Sequence, residues 1–136
     1  MGRVVGIDYG RKRVGIAVTD SLKIIANALT TVDAKDIFTF LKTYIAKEPV
    51  EAFVVGMPVN LDNKDTDATP DVRKFVTQLK KEFPEIPVNL VDERFTSKMA
   101  LKTLIEAGTT KKFRRDKGNI DKVSAAIFLQ EWVNYE

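Results

Sequence analysis

Apolar positions along the chain follow two periods, and the switches between them outline nine elements. Arg3 to Asp8 alternates weakly and is rich in Val and Ile, which reads as a strand. Gly10-Arg11-Lys12 is a turn, and Val14 to Thr19 a second strand that closes an antiparallel hairpin. A third strand covers Ile24 to Val32. Asp33 then stands as an N-cap ahead of a helix with Ile37, Phe38, Leu41, Tyr44 and Ile45 on one face, and Pro49 ends that helix. Ala52 to Gly56 is a short fourth strand of buried character, followed by a polar loop from Pro58 to Thr69.

Thr69-Pro70 places a capping hydroxyl before a proline at the first helical position. Val72, Phe75, Val76, Leu79 and Phe83 then recur at helical spacing. Pro87 precedes a fifth strand, Val88 to Asp92. A third helix runs from Ser97 to Ala107 and stops at Gly108. The last helix, Ile120 to Val133, carries Val123, Ile127, Leu129 and Trp132. Three meandering strands followed by strand–helix alternation predict an α/β fold: a five-stranded mixed sheet, antiparallel then parallel, with helices on both faces. No linker, repeat or low-complexity tract interrupts it, so residues 1–136 are expected to form one domain.

Composition narrows the chemistry. The 136 residues include no histidine and no cysteine. That excludes Ser-His-Asp triads, thiol nucleophiles, disulfides and zinc sites built on His or Cys. Carboxylates, hydroxyls, lysines, arginines and bound metal remain. No stretch approaches the roughly 18 apolar residues of a membrane span. Met1 to Gly10 turns charged and glycine-rich too early for a signal peptide, and Gly6 stands where a myristoylation motif needs Ser or Thr. A cytoplasmic protein is expected.

The net charge of +3 is unevenly spread. Gly108 to Lys122 holds six cations (Lys111, Lys112, Arg114, Arg115, Lys117, Lys122) against Asp116 and Asp121, a local +4 that leaves −1 elsewhere. Such a patch fits a polyanionic partner contacted at one place. Lys111, Lys112, Arg114 and Arg115 suit a phosphate-backbone clamp, with Phe113 available for stacking. The plainer reading is a solvated loop with Phe113 in the core. Arg11, Lys12 and Arg13, just after Asp8, extend the same track. No base-reading motif is visible, which favours recognition of shape over sequence.

Three acidic positions stand out. Alternation puts Val4, Gly6 and Asp8 on one strand face, where the small Gly6 leaves room for a ligand beside the carboxylate. The alternative is an aspartate that caps the Gly10 turn. Asp92 and Glu93 end an apolar strand and lead through Arg94 and Phe95 to Thr96 and Ser97, a helix start able to hold a phosphate. Neighbouring strand residues face opposite ways, so Asp92 and Glu93 do not both serve one site. An N-cap beside a surface ion pair would explain the segment equally. Asp121 opens the last helix above Ser124, Ala125 and Ala126, small residues that permit close approach to a sheet. As a first-turn acid it would need no substrate.

Together, Gly6-Ile7-Asp8-Tyr9-Gly10, Val55-Gly56-Met57-Pro58, Asp92 to Ser97 and Asp121-Lys122-Val123-Ser124-Ala125-Ala126 resemble one family over essentially the whole chain. It is the family of Holliday-junction-resolvase-like proteins, also described as pre-16S ribosomal RNA nucleases, within the ribonuclease-H-like superfamily. The resemblance implies phosphodiester hydrolysis with divalent metal, and Asp8, Glu93 and Asp121 as the acidic triad. Asp92 would support it, along with Gly6 and Gly10. Hard carboxylate oxygens suit Mg²⁺ or Mn²⁺, and two such ions stabilise both attacking and leaving oxygens. Nucleic-acid contacts are expected from Arg11, Lys12, Arg94, Thr96 and Ser97 besides the basic segment. Structured RNA or branched DNA is the expected partner of a monomer or weak homodimer, since no motif specifies a dimer.

Two segments depart from the family's pattern. Asn60 to Asp67 lacks the usual glycine, and its acids miss calcium-loop spacing because Lys64 intrudes. Arg114 to Asn119, before Asp121, also departs. Two other classes compete. The Asp8-Tyr9-Gly10 turn also fits sugar kinases and actin-like ATPases, but those need a second domain, and no Gly-x-x-x-x-Gly-Lys-Ser/Thr loop is present. A non-catalytic nucleic-acid-binding module of the same fold is the other alternative.

Overall fold

A computed structural model describes residues 2–57, 69–92 and 117–134. Five strands form one sheet: β1 (Arg3–Tyr9), β2 (Arg13–Thr19), β3 (Ala26–Asp33), β4 (Val50–Met57) and β5 (Val88–Asp92). Their spatial order is β3-β2-β1-β4-β5. β1–β2 and β2–β3 pair antiparallel, and β1–β4 and β4–β5 pair parallel. The mixed sheet expected from the hydrophobic pattern is therefore present.

Helices cover both faces. On one lie α1 (Ile37–Lys47) and α2 (Thr69–Glu82), packed through Ile37, Leu41, Val72, Phe75 and Leu79 against Val5, Ile7, Ile16, Phe53 and Val55. On the other lies α3 (Lys117–Asn134), packed through Ala125, Phe128 and Leu129 against Val4, Ala17, Ala52 and Val54. Each large side chain buried this way contributes about 1.5–3 kcal/mol by removing apolar surface from water.

Local chemistry sets the element ends. Glu48 is extended (φ −129°, ψ 131°), as the residue before Pro49 is driven to be, so α1 stops there. β3 begins at Ala26 rather than Ile24, because the Ile24 and Ile25 amides donate to the Asp20 carboxylate at 2.8 and 3.0 Å. Asp33 does not cap α1 with its side chain. It ends β3 opposite Arg13, and a short 3-10 turn, Ala34–Asp36, separates it from the helix.

The last helix differs most from expectation. It starts at Lys117, so Asp121 lies beyond the first turn. Of the apolar residues read on it, Leu129 is buried and Trp132 packs against the same core. Ser124, Ala125, Phe128 and Leu129 are buried, whereas Val123 and Ile127 are partly exposed. Small residues meet the sheet here because glycines on the strands admit the helix backbone.

Candidate active site

The parallel strands end at one edge of the sheet, where Ile7 pairs with Val55 and Met57 with Asp92 just before β1, β4 and β5 finish. Ligands of open α/β sheets bind outside such carboxyl ends. Asp8 sits there, on the face covered by α3. Its antiparallel partner is Gly15, and directly opposed residues share a face with their Cβ positions about 5 Å apart. A Cβ built on Gly15 would fall 2.3 Å from the Asp121 carbonyl carbon and oxygen, and 2.7 Å from the Lys122 nitrogen. Gly15 is thus the space that lets α3 lay the Asp121 backbone on the sheet beside Asp8. Glycine inside a strand often marks such an approach.

Asp121 is held by Arg13, whose Nε donates to Oδ2 at 2.5 Å. Both side chains are partly shielded, at 35% and 25% exposure, where a charge-assisted bond is stronger than at a free surface. Arg13 opens β2 on the face of Gly15, so one strand both admits the helix and anchors its acid. Turn Gly10–Arg13 is closed by a 3.0 Å bond from the Gly10 amide to the Arg13 carbonyl, which a Cβ on Gly10 would meet at 2.8 Å.

Several expectations change here. Gly6 does not leave space for a ligand. Leu129 and Ala125 of α3 fill it, at 3.0 and 3.2 Å from where a Cβ would stand. Asp121 is not a first-turn acid, so the helix-terminus explanation for it falls. Arg11 turns to the opposite face and pairs with Asp71 of α2, Nε to Oδ2 at 2.5 Å, while Lys12 stays exposed. Arg13, expected as part of the basic track, anchors Asp121 instead, and Gly15 was missed as a site residue. Strand parity was the available signal, since Arg13, Gly15 and Ala17 alternate together.

Asp92 closes β5 at the same edge. Glu93, Arg94, Thr96, Ser97, Lys111, Lys112, Arg114 and Arg115 lie outside the described residues, as does the expected helix from Ser97. Among the described residues no group of three acids is placed to hold a metal ion. Asp8 and Asp121 are the two members of the expected triad that fall within them. Among the described residues no helix is long and apolar enough to cross a membrane.

The family model described as "RuvX: Holliday junction resolvase" matches residues 2–135. The chain belongs to this family. A Bacteroides thetaiotaomicron protein named "Putative pre-16S rRNA nuclease" is 50% identical over 133 residues, covering 98% of this chain and 96% of its own. A Porphyromonas gingivalis protein of the same name is 49% identical over 134 residues, covering 98% and 97%. T. thermophilus RuvC, solved in complex with Holliday junction substrate, superposes with a TM-score of 0.60 at 18% identity, over 99% of this chain and 95% of that one. At that identity the likeness speaks for the ribonuclease-H-like fold.

Proposed function

We propose that this protein is a divalent-metal-dependent nuclease that hydrolyses phosphodiester bonds of structured nucleic acid. Its substrate in this reading is precursor 16S rRNA, processed in the cytoplasm during ribosome biogenesis. The carrying observation is the seam in which Gly15 brings the Asp121 backbone against the sheet beside Asp8. Near-full-length relatives named for this activity support it.

Asp8, Glu93 and Asp121 are the residues that would hold Mg²⁺ or Mn²⁺, two ions in this reading. The donor chemistry fits, because carboxylate oxygens are hard ligands and the chain offers no His or Cys to favour a softer metal. A bound ion supplies positive charge for the developing phosphate anion and lowers the pKa of water. Asp8 contributes from a rigid strand end, and Arg13 orients the Asp121 carboxylate from β2. Glu93 follows directly on β5, with Asp92 supporting. Lys12 and the segment Lys111–Arg115, with Arg94, Thr96 and Ser97, would bind the phosphate backbone.

Cleavage of precursor 16S rRNA fragments and of four-way DNA junctions with Mn²⁺, comparing wild type with Asp8→Asn, tests the proposal. RNA cut by wild type alone is the expected result. Preferential cutting of junctions would move the substrate to branched DNA, the reading that the family's description favours. Equal cutting by both proteins would remove Asp8 from the site. Binding without cutting by either would leave a non-catalytic module.

A further inference from the structure

A cleft opens at the same edge of the sheet, on the face opposite Asp8. Its volume is about 380 Å³, within the range of small-ligand sites. Tyr9, the residue after Asp8, stacks on Phe75 with ring centroids 4.4 Å apart and planes 14° apart, and Phe38 leans on Phe75 at 5.5 Å. Around this aromatic floor stand Arg11, Lys35 and Lys74, three cations against the single carboxylate of Asp71. The Arg11 side chain is 71% exposed, so its pairing with Asp71 is a solvated contact of little worth to the fold. Lys35 and Lys74 are exposed as well, and the core packing needs neither of them.

Phe75 is buried, but Tyr9 and Phe38 are partly exposed over it. Such aromatics beneath a rim of net charge +2 suit one ligand chemistry, a base against the rings with its phosphate against the cations. Position adds to composition. The turn from Gly10 to Arg13 joins the two faces at this edge, sending Arg11 to the cleft and Arg13 to Asp121. A nucleic-acid strand with its scissile phosphate at Asp8 reaches the cleft by passing over that turn. We propose that the Tyr9–Phe38–Lys74 cleft is a nucleotide subsite for the substrate strand, one step removed from the scissile phosphate. This rests on the nuclease reading above.

The test is Lys35→Glu/Lys74→Glu in the full chain, measured with a short single-stranded RNA carrying 2-aminopurine. The expected result is a Kd weakened about tenfold and a cleavage KM raised similarly, with kcat and Tm retained. A matching double reversal at Lys80 and Lys81, at the far end of α2, should change Kd less than about twofold if binding is local. Equal losses in both double variants would reduce the effect to long-range attraction and overturn the subsite. Competition by a nucleoside 5′-monophosphate as strong as by the RNA would also overturn it, in favour of a free nucleotide. Asp8→Asn separates the two readings. Should the subsite fail alone, Lys35→Glu/Lys74→Glu binds and cuts like wild type while Asp8→Asn binds without cutting. Should the nuclease reading fail alone, no protein cuts, yet the Lys35/Lys74 reversal still weakens binding.

Discussion

The two faces of the sheet are packed in different proportions of large and small residues. Under α1 and α2 the contacts are made by large side chains such as Ile7, Ile16, Phe53, Leu41, Phe75 and Leu79. Under α3 the sheet offers Gly6, Gly15, Ala17 and Ala52 beside Val4 and Val54, and the helix answers with Ser124 and Ala125 beside Phe128 and Leu129. Large side chains bury more apolar area and carry more of the stability. Small ones bring backbones together and so decide where Asp121 sits. The Ser124 hydroxyl is buried with no hydrogen-bond partner among the described residues.

If the division holds, Phe53→Ala should lower stability by about 3–5 kcal/mol, since Phe53 is fully buried and packs on Phe83. Cleavage per folded molecule should stay near wild type below the new melting temperature. A proportionate loss of kcat would mean that the α1/α2 face shapes the site as well.

Gly15→Ala should cost less in stability, about 1–3 kcal/mol from overpacking, and more in activity. Its Cβ would strike backbone that cannot turn aside, so α3 must lift and carry Asp121 with it. Gly6→Ala meets Leu129 and Ala125 at a looser 3.0–3.2 Å and should do less of both. Full cleavage by Gly15→Ala, measured beside its melting curve, would break the comparison.

Arg13→Gln removes the partner of Asp121 and should change stability by no more than about 1 kcal/mol, the scale of a partly exposed ion pair. Its cleavage should fall further than that change implies. A Tm and a kcat on the same preparation tell anchoring from mere packing.

The smallest effect lies off both faces, at the β2–β3 turn. Amide donors from Ile25 and then Ile24 hold the Asp20 carboxyl below its usual range. A hydrogen bond from Lys23, then the Gly2 amide, does the same for Glu51. With folded pKa values depressed, their contribution is fully present above the ordinary carboxylate range and is lost as pH falls through the folded values. Asp20→Asn should therefore make the fall of Tm on acidification slightly shallower. An unchanged slope would move the acid sensitivity to other carboxylates, with Glu51 at Lys23 the first to examine.

Much of the architecture was legible because its signals are local. β5 runs from Val88 to Asp92 as read, α1 ends before Pro49, and the α2 stripe of Val72, Phe75, Val76 and Leu79 is buried. α3 was legible in part. Ser124 and Ala125 meet the sheet, as their small size suggested. Val123 and Ile127, picked out by hydrophobicity, are partly exposed, because apolar residues are spread around the helix and the fit against Gly6 and Gly15 sets its rotation. Of the expected triad, Asp8 and Asp121 come to one seam, while Glu93 stays tied to it by sequence alone.

Periodicity, proline placement and the lack of His and Cys are properties of neighbouring residues and of composition. They were enough for a mixed sheet with helices on both faces and for chemistry limited to carboxylates and cations. The pairing of Arg13 with Asp121 spans 108 residues, and the glycine that admits α3 lies 106 residues before the acid it positions. Contacts of that separation form only when the sheet and helix close on each other. The same closure turned Gly6 from an imagined ligand space into a helix contact, and divided Arg11 and Arg13, two residues apart, between opposite faces.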